Sequence, residues 1–436
     1  MINPITTAKI FSTLGNNSSL IPLGIKDVSN IAGMTTGSYI TGNSVEGKDR
    51  LIDEVGASVI WLLGIPFFKK VIDKTAYKAA GHNPNIDTRV LQNENILKKA
   101  IEHAPTKEIK ESIEHAAKNQ KKFKGLALAK FIISTALTLG SYSLLTIMRH
   151  KHTEKNIINE LKKEEELKKV KEEFENNSAS PAFKSFNKKQ GKNPSFKGIS
   201  PALLKQFMFD PVKNTMIIDG GITTERLAES RNPQDLMGYV IKEGGFLTFM
   251  YFLGPAIQKY LENKAAKSHK PIDLDIRVLQ DKKLQQAIAD KSIKKHLAEF
   301  STKGTDAEIY ESLFKKSDNL VVQMAKESEI IKTMKNSDKI DTQQYIDIKD
   351  LKGIKNKIEN LCSGLTYSKQ TPEEFFKHVL KLKRASIVKN IGISIGALGL
   401  IVPGIMVALR FMGKDNKEFQ VKKEIHEKLK KQKIVA

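Results

Sequence analysis

The 436-residue chain is long enough for two or three domains and a sizeable core. Lys and Arg outnumber Asp and Glu by 72 to 49, a net charge of +23, which points to anionic partners such as phospholipid headgroups or nucleic acid. A single cysteine, Cys362, excludes an intrachain disulfide and any fold that depends on an oxidising compartment.

The chain opens with an N-terminal segment, residues 1–19. MINPITTAKIFSTLGNNSSLIPLG has no charged stretch followed by a continuous apolar run. No cleavable signal peptide is therefore expected, and membrane insertion would use internal segments. Residues 20–150 form a first repeat, and their features return in the same order in residues 201–412. GMTTG carries Thr35 and Thr36 where GGITT carries Thr223 and Thr224. Glu54 in DEVG faces Glu243 in KEGG, and WLLGIP at 61–66 faces YFLGP at 251–255. PNIDTRVLQNENILKKAI at 84–101 returns as PIDLDIRVLQDKKLQQAI at 271–288.

Each repeat holds two apolar segments. The shorter pair, 55–68 and 244–257, has fourteen residues in each copy. That length suits a buried core helix, a re-entrant turn or an interfacial segment better than a clean span. Gly64 with Pro66, and Gly254 with Pro255, interrupt the pair at the same place and predict a kink or a hairpin. Trp61 and Tyr251 are expected at a headgroup boundary. Glu54 and Glu243 stand just before the apolar runs, where they would be solvated, paired or bound to a cation.

In DTRVLQ and DIRVLQ, Asp87 and Asp275 occupy N-cap positions, each after a proline and a polar stretch, with a helical pattern following. Arg89 and Arg277 oppose the macrodipole there and so require a partner, an acid such as Glu54 or Glu243 or a lipid phosphate. A structural cap joined to an ion pair is the simpler expectation.

The longer pair is 131–148, FIISTALTLGSYSLLTIM, and 391–409, IGISIGALGLIVPGIMVAL. The second is uncharged and, as a helix, about 28 Å long, close to a bilayer core. Gly392, Gly396 and Gly399 fall at i, i+4 and i+7 and make a smooth face for helix packing; Ser134, Thr138 and Ser141 repeat that spacing. Lys130 and Arg149 flank 131–148 and are placed to snorkel. Thr371-Pro372-Glu373-Glu374 starts a helix that runs without a breaker into 391–409.

Residues 151–200 join the repeats as a charged helix followed by a basic linker. Its Lys184, Phe186, Lys188, Lys189, Phe196 and Lys197 suit contact with anionic headgroups, lysine attracting and phenylalanine inserting. The same composition also serves a flexible linker. Residues 291–370 read as a polar helical insertion and 413–436 as a basic tail.

No phosphate-binding loop, HExxH, GxSxG or CxxC motif is present, and the histidines are scattered. No catalytic residue, metal ligand or cofactor is assigned. The sequence predicts an all-α, internally duplicated helical membrane protein with polar helical insertions. It would be integral to the membrane, with its polar regions in the cytoplasm. Its expected partners are the phospholipid bilayer and anionic headgroups; no nucleic-acid-binding signature accompanies the basic residues. The leading class is non-enzymatic membrane organisation or scaffolding at anionic lipid. A transporter or channel for a small solute or ion is the alternative, since duplicated halves with broken segments and repeated acids build such sites. A soluble helical binding protein that buries all four segments is the third reading.

Overall fold

The computed structural model describes residues 4–15, 20–41, 44–91, 94–102, 104, 106–172, 207–208, 211–228, 233–300, 318–328, 331–336, 340–346 and 348–411. These are almost wholly helical. In chain order the helices are α1 (Pro4–Leu14), α2 (Leu20–Thr41), α3 (Ser44–Ile72), α4 (Glu94–Glu102), α5 (Lys107–Lys118), α6 (Gln120–Glu172), α7 (Pro211–Ala228) and α8 (Pro233–Leu247). There follow α9 (Gly254–Lys267), α10 (Ile276–Gln280), α11 (Lys282–Ala289), α12 (Ile293–Glu299), α13 (Leu320–Glu327), α14 (Ile348–Ser368), α15 (Pro372–Gly396) and α16 (Val402–Phe411). The region 291–370, expected to be helical, also contains an antiparallel hairpin of β1 (Ile331–Asn336) and β2 (Ile340–Ile346), with an irregularity between Lys332 and Thr333. Ile and Thr at alternate positions of both strands favour the extended pairing.

Among the described residues, three helices are long and apolar enough to cross a membrane: Gly47–Tyr77, Gln120–Thr153 and Pro372–Leu409. Two of them contain 131–148 and 391–409. The third contains 55–68, the segment expected to fall short. Its uncharged run is short, but the helix continues to 31 residues, and the stretch 51–68 within it carries only Asp53 and Glu54 as charges. Gly64 and Pro66 lie inside α3 and make no hairpin there. At the matching place in the second repeat a π turn, Thr248–Leu253, links α8 to α9, and another, Ala397–Ile401, links α15 to α16. Each widened turn contains the residue four before a proline, Tyr251 for Pro255 and Gly399 for Pro403. It thereby accommodates a ring that would otherwise clash with that carbonyl and a missing N–H.

The chain divides into two compact units: Met1–Pro22, Pro66–Ser134 and Leu253–Gly392 form the first, and Leu23–Ile65, Thr135–Phe252 and Ile393–Ala436 the second. The first unit has an ordinary apolar core, with Phe123, Phe300, Ile358, Leu361 and Phe375 fully buried. The recurring phrase feeds this core twice. Val90 and Leu91 from one copy, and Val278 and Leu279 from the other, are buried in it. The helical pattern expected after each aspartate is split into separate short elements. In the first copy the phrase is a 3-10 turn, Thr88–Leu91, before α4; in the second it is α10, and Asp281 then caps α11 by accepting from the Leu284 amide at 2.7 Å. The start of α15 is as expected: Thr371 and Glu374 exchange hydrogen bonds with each other's backbone amides, a capping box.

The second unit reverses the usual arrangement. Outward-facing positions of its long helices are large and apolar, among them Val59, Leu63, Leu144 and Leu400, the last 75% exposed. Its interior holds Arg50, Asp53, Glu54, Asp219, Arg226, Lys242 and Glu243. Trp61 and Tyr251, expected at a headgroup boundary, are buried there as well, at 3% and 8% exposure.

Candidate functional site

The buried charges of the second unit form one connected cluster. On α3, Arg50, Asp53 and Glu54 lie at i, i+3 and i+4, which puts all three on one helix face. Asp53 is the hub. Arg149 on α6 reaches it with Nη1 at 2.8 Å, Arg226 on α7 with Nη2 at 3.0 Å, and Arg50 with Nη1 at 3.9 Å. Tyr142 also donates its hydroxyl to Asp53 at 3.1 Å, while accepting from Arg226 Nε at 2.9 Å. Arg226 sends its remaining nitrogen, Nη1, to Glu243 Oε1 at 2.7 Å. Lys242 Nζ then sits between the two repeated glutamates, 2.6 Å from Glu54 and 3.1 Å from Glu243. Asp53, Glu54, Lys242 and Glu243 are each at most 5% exposed. At such burial each charge must be matched closely, because desolvation alone costs several kcal/mol per ion.

Glu54 and Glu243 are thus paired within the protein rather than solvated, and they meet on a single lysine. Neither is the partner of the repeated arginines. Arg89 instead grips Asp87 of its own motif, with Nε and Nη2 at 3.0 and 2.6 Å, and Arg277 grips Asp275 at 3.1 Å through each of those atoms. Both aspartates also cap their turns, accepting from the amides of Arg89 and Arg277 at 2.9 and 2.8 Å. Burial pushes the Asp275 carboxyl up. The bonds from Arg277 and from the Ser12 hydroxyl outweigh it, and the group is held below the ordinary carboxylate range. Arg149, expected to snorkel, is 7% exposed and belongs to the buried cluster; Lys130 pairs with Asp73.

Of the proposed packing positions, Ser134, Thr138 and Gly399 lie against the protein. Ser134 and Thr138 are fully buried, and a Cβ on Gly64 would come within 2.7 Å of Thr138 Cγ2. Gly399 abuts Ser29 of α2, whose hydroxyl donates to the Ile395 carbonyl at 3.2 Å. Gly392 and Gly396 face open space, and Ser141 bonds back to the Leu137 carbonyl. The linker set Lys184, Phe186, Lys188, Lys189, Phe196 and Lys197 lies outside the described residues.

Beside the ion pairs is a cavity of about 20 Å³. Asp27 and Asn30 from α2, Glu54 from α3, Asp219 and Arg226 from α7, and Lys242 and Glu243 from α8 line it. Among the described residues, no group of three or more His, Cys, Asp or Glu side chains is arranged to hold a metal ion. Cys362, on α14 of the first unit, is half-buried, and burial pushes its thiol up to about 11. That leaves little thiolate at neutral pH and argues against a nucleophile.

Most of the cluster escaped the sequence reading. Arg50, Asp53, Arg226, Lys242, Asp27 and Asp219 each resemble solvated helix charges when taken singly. A usable signal was present on α2. Lys26, Asp27 and Asn30 fall at helical spacing within LIPLGIKDVSNIAGM, a stretch otherwise apolar or small, and so mark an inward polar stripe. No protein-family model matches the chain, and no curated protein or solved structure does either.

Proposed function

We propose that the chain is a non-enzymatic integral membrane protein with duplicated halves, serving membrane organisation or scaffolding at anionic lipid. One observation carries this reading: the second unit is apolar where it faces outward and charged where it is buried. In water that arrangement is costly twice over, while in a bilayer the apolar surface is matched to its solvent and the charges are paired away from it. The three membrane-length helices support the same reading. Duplication is supported by order: α2 and α3 in one half, and α7 with the π-linked α8 and α9 in the other, precede the DxRVLQ phrase, and a membrane-length helix follows it. The excess of lysine provides the attraction to anionic headgroups.

An alkaline carbonate wash tests integration. The chain should remain in the membrane pellet and leave it only with detergent; release by the wash refutes the reading. Vesicles containing phosphatidylserine should then bind the detergent-free polar surface more strongly than neutral vesicles, with binding that weakens as salt rises.

A second reading, transport of a small cation, is favoured by one specific feature, the acid-rich cavity beside the cluster. Ion flux into vesicles that Glu54→Gln with Glu243→Gln abolishes would favour transport. Lipid binding unchanged by that pair, with no flux in the wild type, would favour the scaffold.

A further inference from the structure

The charges of the second unit do not balance at the cavity. Four cations, Arg50, Arg149, Arg226 and Lys242, are within ion-pair reach of four acids, Asp49, Asp53, Glu54 and Glu243. Asp27 and Asp219 remain. Both are buried, at 3% and 4% exposure, both line the cavity, and neither has an ion-pair partner among the described residues. Their hydrogen bonds come from neutral donors: Ser58 and Trp61 for Asp27, and the Tyr251 hydroxyl for Asp219. Lys26, the other buried cation on α2, turns to the Met250 carbonyl at 3.5 Å instead. Asp27 Oδ2 and Asn30 Oδ1 have no hydrogen-bond partner, although both residues line the cavity and are at least 97% buried.

Two uncompensated carboxyls in one buried space are strongly disfavoured as a pair of anions. The space has room for one water-sized particle. Of the residues lining it, Asp27 and Asn30 carry the unsatisfied acceptor oxygens; Lys242 Nζ, within ion-pair reach of Glu54 and Glu243, makes no hydrogen bond of ordinary geometry either. We propose that Asp27, Asn30 and Asp219 form a binding site for a single monovalent cation, a sodium ion or a proton shared by the carboxyls. This deepens the transport reading and rests on it for any biological role; the site itself does not. Arg226 and Lys242 line the same cavity but are engaged by Asp53, Glu54 and Glu243, so they do not serve as the counter-charge.

The test uses the full chain purified in detergent, so it stands apart from the outcome of the carbonate wash. Thermal unfolding is followed in sodium chloride and in N-methylglucamine chloride, for the wild type and for Asp27→Asn with Asp219→Asn. If sodium is the ligand, sodium at a hundredfold its dissociation constant raises the wild-type folding equilibrium about a hundredfold at pH 8, and the double variant does not respond. If a proton is the ligand, the sodium-free wild type loses stability as pH rises above about 4. There the unfolded carboxyls release a proton that the folded pair still holds. The double variant lacks that slope, and sodium changes nothing. Trp61, which donates to Asp27, supplies a second readout, since its emission should shift with occupancy. Should the double variant fail to fold, Asp27→Asn and Asp219→Asn are tested singly. Identical responses of wild type and folded variants to both sodium and pH would overturn the proposal.

Discussion

Replacing Arg226 with Met asks whether the buried cluster holds the second unit together. Arg226 uses three nitrogens on three partners, Tyr142, Glu243 and Asp53, all within 3.0 Å. Methionine keeps much of the volume and removes the charge. Breaking a buried ion pair from one side typically costs about 3–5 kcal/mol, because the abandoned partner stays buried. Here the carboxylates are not wholly abandoned: Asp53 keeps Arg149 at 2.8 Å, and Glu243 keeps Lys242 at 3.1 Å. The loss should therefore lie near the lower end, about 3 kcal/mol, a fall of roughly a hundredfold in the folding equilibrium. The assay is reversible denaturation in detergent, followed by the emission of Trp61. It is the sole tryptophan of the chain and is buried in this unit, so it reports on the unit directly. Adding Glu243→Gln to Arg226→Met removes the acid that Arg226 had neutralised. The double variant should then be more stable than the sum of the single losses implies, by about 1 kcal/mol or more. A loss under about 1 kcal/mol for Arg226→Met, or strict additivity in the double variant, would refute the view that these charges act as one network.

Other positions give independent checks. Gly33→Ala would drive a Cβ into the Gly399 carbonyl oxygen and to 2.6 Å from Pro403 Cγ; it should cost about 1–3 kcal/mol in thermal unfolding. Gly396→Ala meets nothing within 4 Å and should be neutral, or stabilising by up to about 1 kcal/mol through helix propensity. Asp275→Ala should cost about 1–2 kcal/mol, as loss of an N-cap does. The Asp275 carboxyl is held below its ordinary value, so its contribution is present above the unfolded pKa of about 4 and disappears as pH falls through the lowered folded value. Chemical denaturation across that range should show a steeper acid loss in wild type than in Asp275→Ala. With its thiol pushed up to about 11, Cys362 should react slowly with a maleimide at pH 7, and about tenfold faster per pH unit until the thiol ionises. Fast labelling at pH 7 in the folded chain would contradict the burial of that side chain.

Several features could be read from the sequence because their causes are local. The runs at 131–148 and 391–409 lie in membrane-length helices, since a long uncharged stretch needs no knowledge of its neighbours to be recognised. Asp275 and Thr371 cap as expected, because a cap bonds amides only two or three residues away. Segment 55–68, expected to be too short for a clean span, lies in a helix of membrane length for a reason also found in the chain. Counting only uncharged residues ends the helix at Glu54, yet Arg50, Asp53 and Glu54 share one face and turn inward, so the opposite face continues the apolar surface.

The pairing of the inward charges was decided by tertiary structure alone. Glu54 and Glu243 are matched in the sequence by their place in two repeats. That they meet on Lys242, while Asp53 gathers three arginines from three helices, depends on which faces α3, α6, α7 and α8 present to one another. The same holds for Asp27 and Asp219, which are ordinary helix acids until packing places both at one cavity with every neighbouring cation already engaged. Sequence by itself determined which segments are apolar and where the long apolar helices run, because those follow from local hydrogen bonding and side-chain transfer energies; it did not reveal the hairpin within 291–370. The charge balance of the interior is a sum over residues far apart in the chain, and only the packed helices determine which terms enter it.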